Sequence, residues 1–220
     1  MAHHDAGRPA RNGSSPSATA DDPPPPSARG PALLLTGPDD GTPRPLLHYA
    51  RRCLAQAGRH VHHLAWPDVK PDVKLDASRA ADLVTEAVAG LPKGAVSRLV
   101  ILAVSDGTLA IPWAAERGVP GFWLAPRLDV PAVRDALALL PPGSLLAGGT
   151  ADPSWDGEVA AASGLPVLQI DGGDHALEIR ADVERSLAAM ARVVTAVLET
   201  LVPSVREDLT PLRGLPLRHR

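Results

Sequence analysis

The chain has 220 residues with 45% apolar and 21% charged positions, the values of one sizeable globular core rather than of a fibrous chain. Its formal charge of −3 and 3% aromatic content argue against nucleic acid, which would need a basic face and stacking platforms. The single cysteine, Cys53, excludes an internal disulfide and a thiolate zinc cluster, and no apolar run reaches the roughly 20 residues of a membrane span. A cytoplasmic setting with no membrane partner is the expectation, the first 30 residues lacking the apolar centre of a secretory signal.

Residues 1–30 hold six prolines, including the run Pro23-Pro24-Pro25-Pro26, among Gly, Ser, Ala, Asp and Arg. Such a segment buries too little apolar surface to offset its ordering entropy and reads as a disordered tail with a short polyproline spacer. From residue 31 the pattern changes. Short aliphatic runs at 32–36, 60–65, 99–104, 121–125, 144–148 and 167–170 read as strands, mostly continuous rather than alternating, as strands covered on both faces require. Between them, Ala-rich stretches at helical spacing predict helices over 45–57, 77–89, 108–117, 130–139, 157–163 and 182–201. Gly58, Gly90, Gly118 and Gly164 stand just past four of these, where a left-handed C-cap residue is wanted. Pro112 falls inside the third and should bend it near Trp113. Six alternations over residues 31–203 predict one α/β domain, a doubly wound, mostly parallel sheet with helices on both faces. Residues 204–220 form a basic-ended extension, partly frayed.

In a doubly wound sheet the chemistry gathers at the carboxyl ends of the strands. There the chain presents, in order, Thr36-Gly37-Pro38-Asp39, Trp66-Pro67-Asp68, Ser105-Asp106-Gly107, Pro126-Arg127, Thr150-Ala151-Asp152-Pro153 and Asp171-Gly172-Gly173-Asp174-His175. The pentapeptide Ala103-Val104-Ser105-Asp106-Gly107 places small residues two before and two after a serine, between a strand and a helix. That spacing suits a tight, strained turn that lifts the hydroxyl clear of the sheet and leaves the Asp106 N–H at the start of the helix to meet a developing oxyanion. An acid, Asp152, and a histidine, His175, follow at later strand ends. The order Ser, Asp, His differs from that of the two large serine protease classes.

On these residues the stretch from about 31 to 201 resembles a small, lidless α/β hydrolase of the carboxylesterase and dienelactone hydrolase type. The resemblance implies Ser105 as nucleophile, His175 as base and Asp152, in Gly-Thr-Ala-Asp-Pro, as acid, with no metal and no cofactor. Asp129 competes for the acid's role because some α/β hydrolases carry it one strand earlier; Asp174 adjoins His175 too closely in sequence to turn toward its ring. Where the family has a His-Gly turn completing the oxyanion hole, this chain has Thr36-Gly37-Pro38-Asp39. Pro38 has no N–H to give, so Gly37 or Asp39 would have to donate instead.

The implied partner is a small-molecule ester or thioester, held in an open pocket to which Trp66, Trp123, Trp155, Leu128 and Arg127 stand near enough to contribute. The alternative is a non-hydrolytic member of the same fold, a binding module or a cofactor-free lyase or cyclase, since fold alone does not give function. His60, His62 and His63 form a second cluster on one strand, read as structural for want of a third ligand and a carboxylate.

Overall fold

The computed structural model describes residues 29–37, 45–66 and 75–201. Six strands, β1 (Pro31–Thr36), β2 (His60–Ala65), β3 (Val100–Val104), β4 (Gly121–Leu124), β5 (Leu145–Gly149) and β6 (Val167–Ile170), form one sheet in the order β2-β1-β3-β4-β5-β6. Every pairing is parallel. Helices α1 (Pro45–Gln56), α2 (Ala77–Ala89), α3 (Ile111–Arg117), α4 (Pro131–Ala136), α5 (Gly157–Ala162) and α6 (Val183–Leu201) connect and follow them.

The strand order explains which helix covers which face. Parallel crossovers are right-handed, so a connection running one way along the sheet lays its helix on one face and a connection running the other way uses the opposite face. Only β1 to β2 runs outward on its side, and α1 lies with α6 over Leu34, Leu102, Phe122, Leu124 and Ala147. The four connections from β2 to β6 run the other way, and α2, α3, α4 and α5 share a second core with Leu33, Leu35, Ile101, Trp123 and Leu146. Strands β1, β3, β4 and β5 are therefore buried throughout, while β2 and β6, at the edges, are not.

The predicted elements stand within about two residues of those observed, except that the helix expected over 130–139 ends as α4 at Ala136 and finishes in a 3-10 turn at Leu137–Leu139, and with three more instructive exceptions. The helix expected over 108–117 is split into a 3-10 turn at Ser105–Ala110 and α3, so Pro112 sits in the first turn of α3, where its missing N–H costs nothing and no bend is needed. Gly58, Gly118 and Gly164 are left-handed as expected, but Gly90 has φ −78° and closes α2 without leaving the right-handed region. Arg29 and Gly30, placed by composition in the tail, belong to the folded body: the Arg59 guanidinium donates to the carbonyls of Arg29 and Arg98 at 3.0 and 2.9 Å, and Gly30 is buried. The polyproline run and residues 204–220 lie outside the described residues.

The chain's direction of winding reverses between β1 and β3, which leaves a crevice above their carboxyl ends. Ser105 is the residue immediately after β3.

Candidate active site

Ser105 has φ +57°, a left-handed conformation that strains a non-glycine residue by roughly 1–3 kcal/mol. Close packing of the following turn against β1 holds it there. A Cβ added to Gly107 would lie 2.3 Å from the carbonyl oxygen of Leu35, so only glycine lets the turn approach this closely, and Ala103 before it is fully buried. The glycine of the pentapeptide thus has a steric cause. The turn is further pinned by three hydrogen bonds: Thr108 Oγ1 donates to the Ser105 carbonyl at 2.6 Å, the Arg127 N–H donates to Thr108 Oγ1 at 3.0 Å, and Trp66 Nε1 donates to the Asp106 carbonyl at 2.8 Å.

The ends of β5 and β6 are bonded to one another, which brings the other two residues into reach. The Thr150 N–H donates to the Ile170 carbonyl, Ala151 N–H to the Gly173 carbonyl at 2.8 Å, and Gly172 N–H to Thr150 Oγ1 at 2.8 Å. A Cβ on Gly149 would stand 2.1 Å from the Gly173 oxygen, so the two loops could not close over any larger residue. His175 then reaches both ways: its Nε2 is 2.7 Å from Ser105 Oγ and its Nδ1 is 2.7 Å from Asp152 Oδ2. The Asp152 side chain is only 1% exposed, and its other oxygen accepts the Ser154 N–H at 2.9 Å. A buried carboxylate with both oxygens occupied by donors holds one rotamer, and with it the ring it faces.

The two competing carboxylates are committed elsewhere. Asp174 Oδ1 accepts the N–H groups of Ala176 and Glu178 at 2.9 and 3.1 Å and caps the turn that carries His175. Asp129 accepts from Arg127 Nε and from a terminal guanidinium nitrogen, each at 2.9 Å, while the other terminal nitrogen is ion-paired with Asp106. The Arg127 hydrogen bonds hold the Asp129 carboxyl below the ordinary carboxylate range, and these two acids raise the already high pKa of Arg127.

No family model matches the chain, and the search of curated proteins returned no relative. Solved structures do match. Est1E from Butyrivibrio proteoclasticus superposes with a TM-score of 0.57 at 12% identity, over 81% of this chain and 90% of that one. A putative hydrolase of the α/β superfamily from Xanthomonas campestris gives 0.53 at 16% identity, over 76% and 98%. Esterase 2 of Thermogutta terrifontis, solved as its paraoxon-phosphorylated form, gives 0.53 at 18% identity, over 84% and 85%. The chain has the α/β-hydrolase fold.

Within this α/β-hydrolase fold a cleft of ≈ 510 Å³ opens beside Ser105 and His175. Its apolar wall comes from Leu46, Leu47, Val104 and Pro153, and Asp174 and Glu178 stand at its margin. The first turn of α1 went unnoticed in the sequence. Its signal was the adjacent pair Leu46-Leu47, of which an amphipathic helix needs only one for the core; Leu46 is buried and Leu47 half-buried.

The expected pocket residues lie elsewhere. Trp66 is 1% exposed in the core of the α2 to α5 face and serves the Asp106 carbonyl, and Trp123 and Leu128 are buried in that same core. Trp155 lies flat on Gly148, where a Cβ would meet its ring at 1.9 Å, and donates to Gln169 Oε1 at 3.2 Å. Arg127 is engaged by its two acids and does not line the cleft. Gly37 adjoins Asp106, an added Cβ standing 3.6 Å from the Asp106 Cβ; Pro38 and Asp39 fall outside the described residues.

Among the described residues no group of three or more His, Cys, Asp or Glu is arranged to hold a metal ion, and no helix is long and apolar enough to cross a membrane. In the β2 histidine cluster, His63 Nε2 lies 3.1 Å from Thr36 Oγ1 and the His60 and His62 rings meet edge to face at 4.5 Å. Burial, and secondarily His60, lower the pKa of His62.

Proposed function

We propose that the protein is a serine hydrolase that cleaves a small carboxylic ester or thioester through an acyl-serine intermediate. The observation that carries this reading is the continuous hydrogen-bonded chain from Ser105 Oγ through both nitrogens of His175 to the buried Asp152, mounted on a strained turn at the crevice of the sheet.

The chemistry follows from that chain. With the Asp152 carboxylate as acceptor, the proton of His175 belongs on Nδ1, which leaves Nε2 free to accept the Ser105 proton. Serine Oγ attacks the carbonyl carbon of the substrate as its proton passes to Nε2, and Asp152 stabilises the resulting imidazolium. The tetrahedral oxyanion meets the Asp106 N–H at the start of the 3-10 turn. Collapse expels the alcohol or thiol, which takes the proton from His175. Water then repeats the sequence and releases the acid. The apolar wall of Leu46, Leu47, Val104 and Pro153 suits a short acyl chain.

A fluorophosphonate probe tests the assignment directly; the Thermogutta terrifontis esterase 2 of the same fold is phosphorylated by paraoxon, itself an organophosphorus reagent. The wild type should be labelled and Ser105→Ala should not. A wild type that is folded by circular dichroism yet unlabelled would refute the hydrolase reading and favour a binding module.

A further inference from the structure

We propose that Thr108 is a positioning residue for the oxyanion-binding peptide group, acting through the Ser105 carbonyl; this rests on the reading of Ser105 as nucleophile. The carbonyl of Ser105 and the N–H of Asp106 belong to one planar peptide unit, so whatever fixes the carbonyl fixes the direction of the N–H. Thr108 Oγ1 donates to that carbonyl at 2.6 Å, and Thr108 is fully buried. The same hydroxyl accepts the Arg127 backbone N–H at 3.0 Å, which leaves its proton one direction to point. The result is a relay of three polar groups, Arg127 N–H to Thr108 O–H to Ser105 C=O, ending on the peptide whose N–H faces the oxyanion.

Two consequences follow. Each bond in such a chain polarises the next, so the Asp106 N–H becomes a stronger donor than an isolated amide. The relay also ties the elbow to the loop after β4, whose Ala125 has φ +47°, and the Arg127 guanidinium ties the same loop to the Asp106 carboxylate. Arg127 thus grips the elbow twice, through its backbone N–H and through its side chain. The reacting peptide is set before substrate arrives and needs no reorganisation as charge develops.

The test compares Thr108→Val, which keeps the shape and removes the hydroxyl, with Thr108→Ser, which keeps the hydroxyl, and Thr108→Cys, a weak donor. Turnover of a p-nitrophenyl ester and inhibition by a matching trifluoromethyl ketone, whose serine adduct carries an oxyanion, are measured at a temperature where melts show each variant folded. Thr108→Val should lose about 10- to 100-fold in kcat, somewhat less than outright deletion of an oxyanion donor, with KM within about twofold. Its inhibition constant for the ketone should weaken by the factor lost in kcat/KM, while Thr108→Ser stays within about threefold of wild type. If Thr108→Val does not fold, Thr108→Cys should fall about fivefold or more below Thr108→Ser in both readouts. Overturning results are a Val or Cys variant matching Ser in kcat, or a loss of kcat with ketone affinity intact. A wild type inert to the fluorophosphonate would overturn the nucleophile assignment itself, and this role with it.

Discussion

Asp152→Asn is the sharpest perturbation of the site, because the structure predicts failure in either orientation of the new amide. Both carboxylate oxygens now accept, one from His175 Nδ1 at 2.7 Å and one from the Ser154 N–H at 2.9 Å. If the amide oxygen keeps the Ser154 bond, its NH2 faces Nδ1, which must then accept; the ring proton moves to Nε2, and the nitrogen that should take the Ser105 proton already carries one. If the amide flips, two donors meet at Ser154 in a pocket where the Asp152 side chain is 1% exposed, so water cannot relieve the conflict. The imidazolium also loses its counter-charge. Together these should lower kcat about 10⁴-fold, or roughly 5 kcal/mol of transition-state stabilisation, with little change in KM. The control is Asp129→Asn. Its carboxylate is 43% exposed and is held mainly by Arg127, with a further side-chain hydrogen bond from Ser154; an asparagine can keep accepting from both, and Arg127 keeps Asp106, so kcat should stay within about threefold of wild type. The assay is steady-state hydrolysis of p-nitrophenyl butyrate, with thermal melts confirming that both variants fold. An Asp152→Asn enzyme within tenfold of wild type, beside an Asp129→Asn enzyme that is severely impaired, would refute the reasoning.

Three other outcomes are expected. Gly148→Ala drives a methyl into the Trp155 ring at 1.9 Å, so Trp155 must leave its seat; the melting temperature should drop by an amount corresponding to about 1–3 kcal/mol, with a changed tryptophan fluorescence maximum. Leu47→Trp narrows the cleft beside Ser105, and kcat/KM across a series of p-nitrophenyl esters should shift toward shorter acyl chains while acetate is little affected. His62 has its pKa lowered in the folded protein, so the unfolded chain binds its proton first as pH falls. Stability should therefore be intact above the ordinary value near 6.5 and decline below it, and urea melts of His62→Gln should lack that part of the decline.

The sequence determined the α/β alternation, because period-free aliphatic runs and Ala-rich helical stretches can bury their apolar faces only in a layered, doubly covered sheet. It also presented the elbow, because the spacing of small residues about Ser105 is a local pattern, although the reason Gly107 must be small, its contact with Leu35 of β1, is tertiary. The helix stops at Gly58, Gly118 and Gly164 were legible for the same reason, each being a single-residue backbone requirement. Gly90 and Pro112 were misjudged where one residue type serves two geometries, a right-handed stop and a helix start.

What only the tertiary structure decided is which groups meet across strands. Asp152, Asp129 and Asp174 all stand near strand ends, and the sequence favours Asp152 over Asp129 only by resemblance; the bonding of the β5 and β6 loops through Gly149 and Gly173 gives His175 to Asp152, while Arg127 takes Asp129. The tryptophans looked like pocket walls because they too lie near strand ends, but a strand end has two sides, and burial put Trp66 and Trp123 in the core. The cleft's real wall, the first turn of α1, comes from a helix whose docking depends on the direction in which its crossover runs. Residue types and their order carry the chemistry a chain can perform; the partners of each charge are set by the packing of elements far apart in sequence, where no spacing rule reaches.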